Sequence, residues 1–343
     1  MSERLTAPGE QDDDEPTHHT FRPRRLDEFI GQKEICDQMR VFIQAAQQRE
    51  EPLDHTLLVG PKGLGKTTLA EIAANEMGVG FTRAIGSNIE RLELTSILSG
   101  LNQGGSQSGS VLFIDEIHRV NQRTQEILYP AMEDYFLDVV IGQGGPGARP
   151  VRLAFGSFTL IGATTREGLL TGPLRDRFGI RLRLDFYSKE ELVQIVQRDA
   201  ALFQIRVEEK GAAEIAKRAR GTPRIAKRYL RRIRDFADTL GDGIVTYDLA
   251  RDALDRLGVD SIGLDETDRR IMYSIIERGG YASLNTIASA VSEDARTIED
   301  VYEPFLIQIG FLSKTPRGRS LTPQAYVHLG EPPPESPESN QLF

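Results

Sequence analysis

The sequence has one cysteine among its 343 residues and no long run of apolar residues. The single thiol of Cys36 excludes an internal disulfide framework and a metal site made of several thiolates. Because no run of about eighteen apolar residues occurs, the sequence predicts no membrane-spanning helix. The first residues lack the apolar core of a secretion signal and include the acidic run Asp12–Glu15, which is typical of a solvated tail. We therefore expect a cytoplasmic protein.

The net charge of −9 argues weakly against a nucleic-acid-binding protein, because such proteins usually carry a basic surface. Basic residues are nevertheless concentrated locally. Nine of the eighteen residues from Lys217 to Arg234 are lysine or arginine, and none is acidic. A second basic group, Lys314, Arg317 and Arg319, falls in a segment that contains glycine and proline. The first run is either a solvated helix face or a functional surface.

The composition, with 39% hydrophobic and 27% charged residues, is that of a globular protein, and the length suits two or three domains. Between polar tails at 1–20 and 331–343, which we expect to be disordered, the pattern changes twice. In 21–184 short β-rich runs alternate with helical patterns, which predicts a parallel sheet covered by helices. Residues 185–260 are helical only. Residues 261–330 contain three short helices followed by a β-turn-β segment.

A phosphate-binding loop follows the first predicted strand. Residues 60–67 read GPKGLGKT, which matches the pattern G-x-x-x-x-G-K-[ST] in full. The strand before it and the helix after it supply the context that this motif requires, and the helix amino terminus adds its positive dipole end. We expect Lys66 to contact the β- and γ-phosphates of a nucleotide and Thr67 to ligate Mg²⁺. The residues of the predicted phosphate cradle are Gly60, Gly63, Leu64, Gly65, Lys66 and Thr67.

Two further strands deliver polar residues that suit ATP hydrolysis. The apolar run Val111–Ile114 is followed by Asp115 and Glu116, which predicts a buried strand with two carboxylates at its carboxyl end. We expect Asp115 to hold the Mg²⁺ shell and Glu116 to act as general base on the attacking water. The run Thr159–Ala163 leads to Thr165, whose hydroxyl we expect to orient that water. The alternative for the acidic pair is an edge strand followed by a helix N-cap.

Arginines complete the predicted ATPase site. Two of them occur in the segment PLRDRF, and we assign Arg177 as a finger supplied to the ATP of a neighbouring subunit, with Arg175 in support. An ion pair with Asp176 is the alternative. Arg224 follows Pro223 at the start of a basic helix, where we expect it to sense the γ-phosphate and couple the nucleotide to the angle of a lid.

The carboxyl-terminal block, three helices followed by a basic hairpin, predicts a winged helix. We expect the wing residues Lys314, Arg317 and Arg319 to contact DNA phosphates without reading sequence, together with Arg296 at the start of the third helix. That helix, predicted over Ala295–Ile309, carries several carboxylates that phosphates would repel, so we do not expect it to read bases. A winged helix used only for protein contacts is the alternative.

Together these segments resemble the RuvB family of bacterial Holliday-junction branch-migration motors. The resemblance covers residues 21–330 and is carried by GPKGLGKTT, LFIDEIHR, YPAMEDY, TLIGATTR, PLRDRFGI, RARGTPRIAKR and TPRGR. It implies an α/β P-loop NTPase of the AAA+ superfamily with a helical lid domain and a carboxyl-terminal winged-helix domain. It further implies homo-hexameric rings on the duplex arms of a Holliday junction, driven by ATP in recombination and DNA repair. RuvA would hold the junction, and RuvC is a further candidate partner.

The resemblance also implies roles for individual residues. Residues 137–158 would form a hairpin that docks RuvA through Val151 and Leu153; an ordinary core strand is the alternative. Phe21 and Arg22 would lie near the adenine. The other positions that match the nucleotide site of the family are Thr68, Glu133, Asp134, Tyr135, Arg177, Tyr187 and Arg224.

Two positions and one stretch depart from the family pattern. Lys62 stands where the family commonly has proline, and we expect this cation to change nucleotide affinity. Lys314 stands where arginine is typical, which keeps the charge but loses the planar guanidinium. The stretch Asn102–Ser110 is rich in glycine, serine and glutamine and longer than usual. Two other functions compete with the motor: a clamp-loader-type ATPase that switches without translocating, and a regulatory module that binds ATP without turnover. Glu116 and Arg177 argue against the module, and the docking hairpin and basic wing argue against the switch.

Overall fold

The computed structural model describes residues 22–101, 109–141 and 149–333. The chain forms two compact units that divide between Asp185 and Phe186. Phe21, the predicted tails apart from 331–333, and most of the stretch Asn102–Ser110 lie outside the described residues. No helix in the described part of the chain is long and apolar enough to cross a membrane.

The first unit contains a five-stranded parallel sheet. Its strands are β1 (Thr56–Val59), β2 (Gly80–Ile85), β3 (Ser110–Asp115), β6 (Phe158–Thr164) and β7 (Ile180–Arg183), in the order β2-β3-β6-β1-β7. Every residue of β1 and β6 is buried, as their continuous apolar character predicts for central strands covered on both faces. The sheet confirms the predicted α/β P-loop class.

Helices connect the strands of this sheet. The second helix begins directly after Gly65 and ends before Gly78, whose left-handed φ of 70° terminates it. In the fourth helix the side chain of Asn121 caps the first turn by accepting the amide N–H of Thr124. The helices are α1 (Lys33–Arg49), α2 (Lys66–Met77), α3 (Arg91–Gly100), α4 (Gln122–Asp134) and α5 (Gly172–Asp176).

A separate antiparallel hairpin of β4 (Phe136–Ile141) and β5 (Arg149–Ala154) corresponds to the hairpin predicted over 137–158. Leu137 pairs with Leu153, so both side chains lie on one face; Leu137 is buried and Leu153 half-buried. Val151 lies on the same face and is 36% exposed. Val151 is therefore more exposed than Leu137 on this face.

The second unit begins with four helices: α6 (Lys189–Leu202), α7 (Glu209–Arg218), α8 (Pro223–Leu240) and α9 (Tyr247–Arg256). Leu192, Ile195 and Val196 are buried in α6 and Tyr229 and Ile233 in α8, at the spacing of one helix face. The expectation of helices alone was wrong. β8 (Arg206–Val207) and β9 (Ile244–Val245) form a two-residue parallel ladder, which is too short to produce an alternating pattern.

The winged-helix part of this unit contains α10 (Glu266–Ile276), β10 (Tyr281–Ala282), α11 (Leu284–Val291), α12 (Ala295–Thr297), α13 (Glu303–Gln308), β11 (Leu312–Thr315), β12 (Gly318–Leu321) and α14 (Pro323–Leu329). The predicted third helix is present, but a π-helical segment, Ile298–Tyr302, joins α12 to α13. Its apolar face packs into the core of the winged-helix part, where Tyr302 and Leu306 are fully buried. Sequence reasoning missed β10, which completes the sheet β10-β12-β11, and α14.

Candidate active site and DNA interface

The phosphate-binding loop turns sharply between β1 and α2. Gly60, Gly63 and Gly65 have φ angles of 149°, 83° and 99°. A side chain is excluded at Gly60, because its Cβ would lie 2.5 Å from the carbonyl oxygen of Leu184. The ammonium of Lys66 is buried against the loop and donates a 2.8 Å hydrogen bond to the carbonyl oxygen of Gly60. The loop therefore has the glycine-dependent curl that the motif predicts.

Three predicted segments meet at the carboxyl edge of the sheet. Val59 pairs with Thr164 at the ends of β1 and β6, and Ile114 of β3 pairs with Gly162. The amide of Gly60 donates a 3.0 Å hydrogen bond to the carbonyl oxygen of Thr164. The P-loop, the acidic pair and the tip of β6 are therefore neighbours, at the edge where open α/β sheets bind ligands.

The two threonines at the tip of β6 have different surroundings. The hydroxyl of Thr164 forms a 2.9 Å hydrogen bond with Nδ1 of His118 and accepts the amide N–H of Arg166, also at 2.9 Å. The hydroxyl of Thr165 is buried and has no hydrogen-bond partner among the described residues. A buried polar group without a partner is rare and indicates a place for water or a ligand oxygen. This favours Thr165 over Thr164 as the water-orienting residue.

Glu116 lies between two cations. Its carboxylate oxygens are 3.2 Å from Nζ of Lys62 and 2.8 Å from Nε of Arg119. Its φ of 48° is a strained conformation for a residue other than glycine, and such strain is concentrated at functional sites. The amide of Glu116 donates to Oδ1 of Asp115 at 3.0 Å, so the two acids are positioned together. Sequence reasoning missed Arg119, although its place three residues after Glu116 was the available signal.

Arg177 lies at the opposite edge of the sheet. It precedes β7, whose first residue Ile180 pairs with Thr56 at the start of β1. At about 3.3 Å per strand residue, its backbone is roughly 15 Å from the P-loop of its own chain. Its guanidinium pairs with Glu133 at 3.0 Å, and among the described residues no ion pair joins it to Asp176. The structure therefore does not bring Arg177 to the P-loop of the same chain.

The segment Glu133–Tyr135 lies at this same amino edge. The ring of Tyr135 is 5.8 Å from that of Phe158, the first residue of β6, and burial raises the pKa of the Tyr135 hydroxyl. Its carbonyl oxygen accepts the amide N–H of Phe155 at 2.7 Å. Glu133, Asp134 and Tyr135 therefore lie away from the P-loop of their own chain.

The remaining residues predicted for the nucleotide site belong partly to the first unit and partly to the second. Arg22 pairs at 3.1 Å with Glu71 on α2, which places it along the helix that follows the P-loop. Leu64 is buried, and Thr67 and Thr68 are partly exposed on the first turn of α2. In the second unit, Tyr187 is buried and Arg224 is exposed on the first turn of α8.

The carboxyl-edge residues fit a nucleoside triphosphate with Mg²⁺. The curled loop, the Lys66 ammonium and the unpartnered Thr165 hydroxyl are suited to phosphate oxygens and water. No group of three or more His, Cys, Asp or Glu side chains in the described ranges could hold a metal ion. Thr67 and Asp115 are the residues that would hold Mg²⁺, together with phosphate oxygens, because hydroxyl and carboxylate oxygens are the ligands this ion prefers.

The predicted DNA-binding residues of the wing are not equivalent. Arg319 donates to both carboxylate oxygens of Glu303, at 2.6 and 3.3 Å, and the Glu303 side chain is 1% exposed. Nζ of Lys314 lies 2.8 Å from the same carboxylate. Arg317, at the tip of the turn, and Arg296, at the start of α12, are exposed. Glu303 therefore faces Lys314 and Arg319 rather than solvent. The expectation was that the carboxylates of this helix would face and repel DNA phosphates.

Three family models match the chain in sequence order. They describe the P-loop domain of the Holliday junction DNA helicase RuvB over residues 21–184, the RuvB AAA lid domain over 187–260 and the RuvB C-terminal winged helix domain over 261–330. The chain belongs to the RuvB family. Membership confirms the resemblance predicted from the motifs, and with it an AAA+ P-loop ATPase fold followed by a lid and a winged helix.

Individual RuvB proteins are similar over nearly the whole chain. The Holliday junction branch migration complex subunit RuvB of Chloroflexus aurantiacus is 53% identical over 337 residues, which are 97% of this chain and 95% of that protein. The solved structure of the Thermotoga maritima RuvB Holliday junction branch migration motor is 44% identical, with a TM-score of 0.82, and covers 92% of this chain and 99% of its own. A structure of a Thermotoga maritima RuvB mutant has a TM-score of 0.83.

Proposed function

We propose that this RuvB-family chain is an ATP-driven motor that moves the branch point of a Holliday junction along duplex DNA, in recombination and DNA repair. The observation that carries the proposal is that the residues predicted for the ATPase site lie at two opposite edges of the sheet. The P-loop, the acidic pair and Thr165 lie at the carboxyl edge, whereas Arg177 lies at the amino edge. Such a division suits a ring in which each copy completes the site of the next.

Within one copy, the residues have separate tasks. Lys66 and the loop amides bind the phosphates, Thr67 and Asp115 hold Mg²⁺, and Glu116 accepts a proton from the attacking water. Mg²⁺ neutralises charge on the phosphate oxygens when bound. The hydroxyl of Thr165 orients the water, which gives its unpartnered oxygen a function.

Between copies, Arg177 supplies positive charge to the phosphates of the neighbour. Its ion-pair partner in this structure, Glu133, is 56% exposed. Because exposed ion pairs contribute little free energy, Arg177 can leave Glu133 for a phosphate at little cost in free energy. Glu133 and Tyr135 would lie at the same interface between copies. The ring is a homo-hexamer on this proposal, as the family resemblance implies.

DNA contact is assigned to the exposed cations of the winged helix. Arg317 and Arg296 are exposed, and Lys314 is half-exposed even with Glu303 beside it. These contacts would bind phosphates without reading sequence, which suits a motor that moves along any duplex. Arg319 would act indirectly, by fixing the wing to the third helix.

The β4–β5 hairpin is assigned to RuvA, the partner that would hold the junction, with RuvC as a further candidate partner and the cytoplasm as the compartment. An exposed valine in a regular strand suits a surface that a partner covers. Val151→Asp should abolish binding to purified RuvA and leave basal ATPase unchanged. Arg152→Ala, on the other face of the same strand, is the matched control and should bind normally. Loss of folding by circular dichroism in Val151→Asp would identify Val151 as structural instead.

The function as a whole is tested with a synthetic four-way junction and purified RuvA. The chain should dissociate the junction only with hydrolysable ATP, and Glu116→Gln should bind the junction without dissociating it. Tight, ATP-gated binding without dissociation would support the clamp-loader-type switch and contradict the motor.

A further inference from the structure

A tight turn before α8 connects residues that sequence analysis assigned to the nucleotide. Arg220 and Gly221 have left-handed φ angles of 54° and 65°. The carbonyl oxygen of Gly221 accepts the amide N–H of Tyr187 at 2.9 Å, and a Cβ at Gly221 would lie 2.8 Å from Cβ of Phe186. Arg224 lies three residues after Gly221, on the first turn of α8. The turn is therefore held rigidly beside Tyr187 and Arg224.

The side chain of Arg220 leaves this turn and enters the start of the winged-helix domain. Its Nε donates to the carbonyl oxygen of Gly263 at 2.6 Å. One terminal nitrogen lies 3.0 Å from Asp265 and 2.6 Å from Asp268, and the guanidinium stacks 5.2 Å from the ring centroid of Phe305. All three charged side chains are 3% exposed or less. One lid arginine thus joins the two aspartates that cap α10 to the third helix of the domain.

A buried ionic cluster is a costly way to join two domains. Desolvation of the charges offsets most of their attraction, and apolar residues of similar size would hold the domains together as well. Burial raises the pKa of Asp268 to about 7, and the neighbouring carboxylate of Asp265 adds to this increase while Arg220 opposes it. What such a cluster does provide is one fixed arrangement, because each charge must keep its partner.

We propose that Arg220 is a positioning residue that transmits the nucleotide-dependent state of the lid turn to the winged-helix domain. The proposal rests on the proposed motor function. A shift of Tyr187 or Arg224 on hydrolysis moves the turn, and Arg220 moves α10 with it. Because α10 packs against β12, which carries Arg319, the displacement reaches the wing.

The test separates coupling from stability. Arg220→Met alone leaves two buried carboxylates without their cation and is expected to unfold part of the chain. The informative variant combines Arg220→Met with Asp265→Asn and Asp268→Asn, which removes every charge, and asparagine still caps α10. The matched control is Arg218→Met with Glu214→Gln. That change removes a buried pair of 2.7 Å within the lid itself.

The measurement is the number of junctions dissociated per ATP hydrolysed, with RuvA present. The neutral triple variant should keep kcat and KM for ATP without DNA within about twofold of the wild-type chain. It should dissociate at least about tenfold fewer junctions per ATP, whereas the Arg218→Met, Glu214→Gln control keeps the wild-type ratio. If the triple variant dissociates as many junctions per ATP as the wild-type chain, the inference is overturned and the proposed function is not affected. A wild-type chain that hydrolyses ATP without dissociating junctions overturns the proposed function, and the inference with it.

Discussion

Replacing Arg319 with methionine should destabilise the winged-helix domain rather than remove a DNA contact. Arg319 holds both oxygens of Glu303, whose side chain is 1% exposed. Removing one partner of a buried ion pair costs about 3–5 kcal/mol, because the other charge stays buried. Lys314, at 2.8 Å from Glu303, offsets part of this cost. We therefore expect a loss of about 2–3 kcal/mol.

Thermal unfolding followed by circular dichroism measures this loss. We expect the second unit, roughly 150 residues, to unfold cooperatively. For a body of this size each 1 kcal/mol lost from the free energy of unfolding lowers Tm by about 2–4 °C. Arg319→Met should therefore lower Tm by about 4–12 °C. Arg317→Ala is the matched control, since an exposed side chain in the turn should leave Tm unchanged.

Salt titration of duplex binding gives the converse comparison. Arg317→Ala should reduce the slope of log affinity against log salt by about 0.9 for the lost phosphate contact. Arg319→Met should leave the slope unchanged at temperatures where the protein is folded. An Arg319→Met protein with the wild-type Tm and a reduced slope would refute the structural role and make Arg319 a DNA contact.

Three further predictions concern the first unit. Lys66→Ala should abolish ATP binding, whereas Glu116→Gln should bind ATP and fail to hydrolyse it. An equal loss of labelled-nucleotide binding in both variants would contradict the assignment of Glu116 as general base. Lys62→Gln should raise kcat for ATP up to about fivefold, because a part-exposed pair of up to about 1 kcal/mol no longer holds Glu116, and Lys62→Arg should not. Burial lowers the pKa of His55 in the folded chain. As the pH falls, the imidazole is therefore protonated in the unfolded chain before it is protonated in the folded chain. The free energy of unfolding should therefore decrease below about pH 6.5 in the wild-type chain, and less so in His55→Gln.

Local sequence predicted the glycine loop and the acidic pair at the carboxyl edge of the sheet for a physical reason. A glycine loop between a strand and a helix, and two acids at the end of an apolar strand, each depend on neighbours in the chain. The choice between Thr164 and Thr165 did not follow from the sequence in the same way. It depends on His118, which lies 46 residues away and occupies the hydroxyl of Thr164.

The basic run before and within α8 shows where sequence reasoning ends. Its charge predicted a surface, yet Arg218 and Arg220 are buried. The partners of Arg220 lie in the next domain, at Gly263, Asp265 and Asp268. Arg218 pairs with Glu214 one helical turn earlier, but also with Asp255, 37 residues away. Nothing in the local pattern of arginines distinguishes a buried guanidinium from a solvated one. The same holds for Glu303, which the composition of its helix placed among solvent-facing carboxylates and which the fold buries against Arg319.

Mixing two inactive variants tests most directly whether each ATPase site is completed by a neighbouring copy. Arg177→Ala should bind ATP and hydrolyse it about 10³–10⁵-fold more slowly than the wild-type chain, and Lys66→Ala should not bind ATP. In mixed rings, some interfaces pair an intact P-loop of the first variant with Arg177 of the second, and these should recover measurable ATPase. No recovery at any mixing ratio, with co-assembly demonstrated by cross-linking, would contradict the shared site.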